Sequence, residues 1–389
     1  MKILFLSQGK YISDHPGWND ALKKLKEEGL ISDFLNIPYF GFAEEFGWDA
    51  FYEKVIELTK KEEFQLIYFH HFHKKGKPSP RKCIESLQKL QPRPVIIVSS
   101  GDGFSDNWMR PDYPEDFKEA SRLADITFST QMGKAADKMM KWGARNVVYV
   151  PNSMCQVRFH ATEVNPETHK FDYDIVFVGS NNGGRIFNPV SQHWFGARTR
   201  KKLVESLYYT FGNRFGIYGM GWDLPCAKGP VPFNKQQDIF RKGKLLVGGN
   251  PYSFSDYYSS NRIFFEISSG IPTIELSVPR LNCILRDNDH CYFTNSIAEI
   301  LRKCEELLNA DQKQIYSKAA NAAKYIEKYH TQYHRMKFKI ETVKRFIVNK
   351  RRLDVAFPFF LPEVNLKEEE KFALRKNVTN DFHNITYSL

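Results

Sequence analysis

The residues most able to do chemistry follow a run of apolar side chains in Val98-Ser-Ser-Gly-Asp-Gly-Phe-Ser-Asp-Asn-Trp108. Asp102 stands just past the run, between Gly101 and Gly103. A carboxylate at the end of a buried strand, with glycines leaving room around it, can take a proton from a bound hydroxyl. The plainer alternative is an aspartate that caps the next turn. Asp106 and Asp112 are rivals that lie farther from the strand end. A second group is His70-His-Phe-His73. In an extended chain His70 and His71 point to opposite faces, and no carboxylate or cysteine completes a metal set. His70 is instead a candidate contact for the molecule that gives up the proton, together with His15 and Trp18 after the first apolar run.

A third set of residues suits phosphate. Tyr173-Asp-Ile-Val-Phe-Val-Gly-Ser180 leads into Asn181, Asn182, Gly183, Gly184 and Arg185, with Arg198 and Arg200 opening a later helix. Glycine lets backbone approach an anion, and arginine and helix N-termini stabilise its charge. Gly179, Ser180, Arg185 and Arg198 are the candidates, although the pattern is neither a dinucleotide fingerprint nor a P-loop. Phe215-Gly-Ile-Tyr-Gly-Met-Gly-Trp222 breaks from a strand into Gly219 and Gly221, with Trp222 placed to stack or to pack. Leu245-Leu-Val-Gly-Gly-Asn250 precedes a helix that starts at Ser260-Asn-Arg262 and carries Glu266. Ser260, Asn250 and Arg262 could hold a diphosphate, and Glu266 could accept two ribose hydroxyls. The alternative for Arg262 and Glu266 is a surface salt bridge between residues one turn apart.

These residues need a scaffold that puts strand ends side by side. The first half alternates apolar strands at 3–7, 64–69, 95–98, 126–128 and 147–150 with helical segments at 19–28, 48–61, 80–90, 116–123 and 135–142. A polar stretch, 152–172, separates it from a second alternation. That one has strands at 173–178, 215–218, 245–247 and 273–276, and helices at 200–211, 234–241, 261–269, 297–308 and 312–329. Alternation of this kind predicts an α/β fold with parallel sheets. Two Rossmann-like domains facing a central cleft are expected, covering 1–155 and 170–330. Residues 331–389 would be a helical tail able to pack back on the first domain. In such sheets ligands sit beyond the carboxyl ends of the strands.

Length and composition agree with this. The 389 residues exceed one ordinary core, and the 42% hydrophobic content excludes a disordered chain. A net charge of +11 suits a polyanionic partner: nucleic acid, anionic lipid or a phosphorylated small molecule. The lysines are scattered rather than blocked. Cys83, Cys155, Cys226, Cys283, Cys291 and Cys304 form no zinc spacing and read as thiols of a reducing compartment. No apolar run is long enough to span a bilayer, and the N-terminus reads as a strand rather than a leader, so a cytoplasmic protein is expected, with peripheral membrane contact left open. Asn377 and Asn384 sit in sequons that carry no meaning without secretion.

From Pro94 to Arg335 the sequence resembles the bacterial and phage glycosyltransferases grouped with the spore-maturation protein CgeB. The resemblance rests on several pieces in order: Ala124-Asp125 before Ile126-Thr-Phe, Asn146-Val-Val-Tyr-Val-Pro151, Asp174-Ile-Val-Phe-Val-Gly179, Tyr218-Gly-Met-Gly-Trp222, Ser260-Asn-Arg262, Gly270, and His330-Thr with Arg335. It implies the GT-B architecture, a nucleotide-sugar donor, such as a UDP-sugar, held by the second domain, an acceptor held by the first, and no essential metal or other cofactor. A weaker resemblance, to phage DNA β-glucosyltransferases, keeps hydroxymethylated DNA as an alternative to a saccharide acceptor. One departure stands out. Members of the first group carry the ribose-binding Glu where this chain has Phe265, and a shift of one helical residue is a rotation of about 100°. Either the helix is re-phased, or Glu266 pairs with Arg262 and something else holds the ribose. Tyr257 stands where many retaining enzymes have a first glutamate, which favours inversion with Asp102 as base. A non-catalytic binding protein of the same fold is the remaining alternative.

Overall fold

The computed structural model describes residues 1–72, 78–102, 113–181, 192–250, 255–351 and 353. The chain forms two compact units. Of the described residues, the first takes 1–72, 78–102, 113–151, 332–351 and 353, and the second takes those between 152 and 331.

The first unit is built on β1 (Lys2–Ser7), β2 (Asp33–Pro38), β3 (Leu66–Phe69), β4 (Val95–Ser99), β5 (Ile126–Ser129) and β6 (Val147–Tyr149), all parallel, in the order β2-β1-β3-β4-β5-β6. Leu4 pairs with Ile67, Ile67 with Ile96, and Val98 with Thr127. The central strands are apolar at successive positions because both faces are covered, as parallel crossovers require. The covering helices are α1 (Pro16–Glu27), α2 (Tyr39–Phe46), α3 (Trp48–Glu62), α4 (Arg81–Gln88), α5 (Glu115–Leu123) and α6 (Lys134–Lys141). On α1 the buried residues Trp18, Ala21, Leu22 and Leu25 recur at helical spacing and pack on Phe5, Tyr68 and Ile97.

The second unit has β7 (Tyr173–Val178), β8 (Phe215–Tyr218), β9 (Gly243–Val247), β10 (Thr273–Leu276) and β11 (Tyr292–Thr294), parallel and ordered β11-β10-β9-β7-β8. Its helices are α7 (Gln192–Phe211), α8 (Gln236–Phe240), α9 (Asn261–Ser268), α10 (Ile297–Asn309) and α11 (Gln312–Tyr329). The Ser296 and Asp311 side chains cap the first turns of α10 and α11. Residues 152–172 contain no helix or strand. Asn152 Nδ2 donates to the Ser259 carbonyl at 2.8 Å, and Ser153 N–H donates to Asn261 Oδ1 at 3.1 Å. Those bonds fix the segment to the start of α9.

The last element, α12 (Gln332–Val348), belongs to the first unit. Met336, Ile340, Val343 and Phe346 enter the same core as Trp18 and Tyr68. Arg335, fully buried, donates from Nε to the Pro151 carbonyl at 3.0 Å.

The architecture is the α/β arrangement expected, with several local differences. The helix expected at 19–28 begins at Pro16, which suits a first turn because its missing N–H has no partner to lose there. The helix expected at 200–211 begins at Gln192. Strands β2 and β11 and helix α2 were not expected. Both strands lie at sheet edges and are only partly buried, so they lack the apolar run that marks an interior strand. Cys83, Cys155, Cys226, Cys291 and Cys304 are free and buried. The Cys283 side chain, the sequons and the acidic part of the tail lie outside the described residues. Among the described residues, no helix is long and apolar enough to cross a membrane.

Candidate functional site

In the second unit the carboxyl ends of β7, β9 and β10 are bound together by charged side chains, and that of β8 is tied to β7 by backbone and Trp222 hydrogen bonds. Gly179 follows β7 directly. Its N–H donates to the Tyr218 carbonyl at 2.7 Å, and its carbonyl accepts from Trp222 Nε1 at 2.6 Å. Gly219 has φ +144°, and a side chain there would strike the Gly179 carbonyl, so the two loops approach to a distance only glycine permits. Asn181 N–H donates to the Met220 carbonyl at 2.8 Å. Trp222 is half-buried and meets Phe177 edge-on, ring centres 6.0 Å apart. Gly179, Ser180, Gly219 and Trp222 thus share one corner.

Below that corner lies a four-charge cluster. Arg262, in the first turn of α9, donates from Nη1 to the Val178 carbonyl at 2.7 Å and from Nη2 to the Gly249 carbonyl at 3.1 Å. Its Nε stands 3.5 Å from Glu266 Oε1. Arg200, on α7 and buried, donates twice to the Gly249 carbonyl, at 3.0 and 2.8 Å, and once to the Ser180 carbonyl at 3.0 Å. Glu275, on β10, accepts from Asn250 N–H at 3.0 Å and Leu276 N–H at 3.2 Å. Glu266 and Glu275 are both 1% exposed. A Cβ on Gly248 would sit 3.0 Å from Glu266 Oε2 and would collide with Glu275 Oε2, so both carboxylates close on the same bare backbone. Among the described residues, Glu266 Oε2 and the buried Ser260 Oγ have no hydrogen-bond partner. Burial drives the Glu266 carboxyl up to about 8. The Glu275 charge pushes the same way, while Arg262 and Arg200 oppose it. Glu275 is raised for the same first reason, offset by the Asn250 N–H bond and Arg262.

The pair formed by Arg262 and Glu266 is therefore a buried pair, and the surface salt bridge is corrected. Phe265 explains the phase of the helix: it stacks on Phe159, ring centres 4.1 Å apart and planes 5° apart, and meets Phe233 edge-on. The two arginines expected to open the helix stand within α7, where Arg198 is exposed and Arg200 points inward, as residues two apart on a helix must diverge. Sequence reasoning passed over Arg200 and Glu275. A glutamate inside the buried strand Thr273-Ile-Glu-Leu276 was the available signal for the second. Arg185, Asn182, Gly183 and Gly184 lie outside the described residues.

In the first unit, His15, Trp18 and His70 come together. The His70 ring, at the end of β3, stands 5.0 Å from Trp18 and 5.9 Å from His15, both edge-on. His15 precedes α1, and Trp18 is in its first turn. Asp102 is exposed and ends a turn that Ser100 closes: Asp102 N–H donates to Ser100 Oγ, and Ser100 Oγ donates to the Asp102 carbonyl, both at 3.3 Å. The turn that Asp102 was expected to cap as the alternative lies outside the described residues. Gly103 to Asp112, with Asp106, and His73 lie outside the described residues.

Residues 198–341 match the family model described as glycosyl transferase-like. A search of the curated proteins finds no match. Among solved structures the chain is similar to Anabaena HepE in complex with UDP and glucose, with 12% identity, a TM-score of 0.53, and coverage of 88% of this chain and 99% of that one. It is likewise similar to a glycosyltransferase from Rickettsia africae, at 12% identity, a TM-score of 0.53, and 90% and 99% coverage. Sucrose-phosphate synthase from Thermosynechococcus elongatus aligns at 11% identity with a TM-score of 0.52, covering 90% of this chain and all of that one. The two parallel sheets are those of the GT-B architecture, and the stretch 198–341 of the second unit and α12 is the part similar to glycosyltransferases in sequence.

Proposed function

We propose that the protein transfers a sugar from a nucleotide-sugar donor, most simply a UDP-sugar, to the hydroxyl of a saccharide acceptor, with inversion. The observation that carries this reading is the cluster of Arg200, Arg262, Glu266 and Glu275 beneath Gly248, Gly249 and Asn250. It fixes bare backbone at the carboxyl ends of three parallel strands, where such sheets bind ligands. In this reading the second unit holds the donor. Gly179, Ser180, Gly219 and Asn250 offer backbone and amide groups, Trp222 flanks them, and Ser260 begins a helix whose N-terminus favours phosphate. Arg262 has five donor hydrogens and spends two on carbonyls, so others remain for the diphosphate, alongside Arg185 and Arg198. Glu266 is the ribose partner that the unpaired Oε2 supports. These side chains carry the leaving-group charge without requiring a metal. The UDP and glucose named for HepE support the donor class.

The first unit would receive the acceptor through His15, Trp18 and His70, with Asp102 as the base that takes the hydroxyl proton. The membership in the CgeB-like group and a cytoplasmic setting belong to the same reading. The net charge of +11 favours a second acceptor, a hydroxymethylated base in DNA. A thermal-shift screen with UDP, GDP, ADP and TDP, free and sugar-linked, tests the donor. A ligand of the native state alone at about 100 times its Kd stabilises by about 2.7 kcal/mol. No shift with any of them at millimolar concentration would sink the donor assignment. The anomeric configuration of the product, read by NMR, tests inversion.

A further inference from the structure

His71 follows β3 with φ +50°, in the left-handed region that non-glycine residues seldom occupy. Its surroundings hold it there from several sides. Its N–H donates to Ser99 Oγ at 3.4 Å, and its carbonyl accepts from Tyr39 OH at 2.8 Å. Its ring stands edge-on to His70 at 4.1 Å. The ring also fills the space where a side chain on Gly101 would be, so the residue before Asp102 must be glycine while His71 keeps this pose. Strained residues at the carboxyl end of a parallel sheet cluster at functional sites.

Behind Ser99 runs a polar chain that packing alone does not require. Tyr68 OH and Ser99 Oγ are 2.8 Å apart, and Lys339 Nζ donates to Tyr68 OH at 2.6 Å. Lys339 comes from α12 and is 4% exposed. The rings of Trp18, Tyr68 and Phe128 surround its amine at 4.8, 5.0 and 5.6 Å. Of the groups facing it, Tyr68 from β3 is neutral and Arg335 on its own helix is cationic. The Trp18 and Phe128 rings, from α1 and β5, do not titrate. Among the described residues no carboxylate faces it, and a lysine buried in that way is costly where a methionine would fill the space. A charged amine can only donate to Tyr68, which sends the tyrosine proton to Ser99. A neutral amine can accept, and the chain can then reverse. Burial, with Arg335 adding to it, lowers this amine to about 7, so both states are reached near neutrality.

We propose that His71 is a further acceptor contact beside Asp102, and that Lys339 is its positioning residue, acting through Tyr68 and Ser99. The proposal rests on the reading of Asp102 as the base. The test uses the full chain with histidine labelled with ¹³C at Cε1, the His71 resonance being assigned by its loss in His71→Gln. Tyr68→Phe and Lys339→Met each cut the chain at a different link. The expected result is a His71 titration midpoint displaced by ~0.5 unit or more in both variants, with the melting temperature kept or raised. In parallel, His71→Gln should consume UDP-glucose at least ~10-fold more slowly with little change in KM, as expected for a group that acts after the donor is bound. An identical His71 titration in wild type, Tyr68→Phe and Lys339→Met would overturn the positioning role. Wild-type turnover in His71→Gln would overturn the contact. If the wild-type protein consumes no UDP-glucose, that counts against the donor assignment, and the titration still decides whether Lys339 governs His71.

Discussion

Glu266 lies under Gly248 with one carboxylate oxygen facing Arg262 and the other without a partner among the described residues. Its ordinary value near 4.5 rises to about 8 in the fold, so the native state holds an extra proton between those limits. The sign follows from linkage: where the native state binds more protons than the unfolded chain, stability falls as pH rises. Stability should decline across this window with a limiting slope of about 1.4 kcal/mol per pH unit for one proton. In Glu266→Gln, urea melts at each pH should show that decline flattened. Arg262→Ala should do more than weaken the donor. It leaves two carbonyls without their donor and removes the cation that opposes the burial of Glu266, and an unmatched buried polar group costs about 1–3 kcal/mol. Denaturant unfolding measures this directly, and a loss below about 1 kcal/mol would contradict the buried geometry. The glycines and arginines of this corner were legible in the sequence because loops that close on phosphate need those types. Glu275 was signalled only by its place inside an apolar strand, and its role was not legible until its neighbours on β9 and α9 are known. Asp102 could be picked out as a strand-end carboxylate. The His71 ring that dictates Gly101 could not, since only the fold brings the ends of β3 and β4 together.

At the scale of elements, α12 joins the sheet of the first unit although the chain reaches it only after completing the second. Met336, Ile340, Val343 and Phe346 are each at most 2% exposed. At about 1.5–3 kcal/mol per fully buried apolar side chain, their loss rivals the whole stability of a domain. A chain ending at Thr331 should therefore yield an unfolded or aggregated first unit, seen as lost solubility and lost cooperative melting. A soluble, cooperatively melting product would show that α12 is dispensable. Lys339 on this helix has the opposite pH signature to Glu266. Its amine falls from 10.5 to about 7, so between those values the unfolded chain binds the extra proton and stability rises with pH. Lys339→Met should abolish that rise. The interior strands and most helices were legible from apolar runs and helical spacing. The edge strands β2 and β11 were not, since one uncovered side removes the continuous apolar signal. The tail was expected to be helical, but the bounds of α12 were not legible, because its core face is interrupted by Arg335, Lys339 and Thr342, all buried.

For the whole molecule, the charge of +11 leaves two acceptor classes that behave differently in salt. Binding to duplex DNA through phosphate contacts would weaken steeply as salt rises, because counterions are released. A saccharide acceptor would leave no such dependence, and this is the expected outcome of a filter-binding titration at two salt concentrations. Donor chemistry is the central claim. Its most direct measurement is release of free nucleoside diphosphate from a pool of UDP-, GDP-, ADP- and TDP-sugars, with and without a mixed glycan fraction, followed by mass spectrometry. The expected result is release of one nucleoside diphosphate by the wild-type protein. Release should be slower by about 10²-fold or more in Asp102→Asn, whose melting temperature should be unchanged, as removal of a general base requires. Contradiction would be release of no nucleoside diphosphate from any member of the pool by the folded wild-type protein.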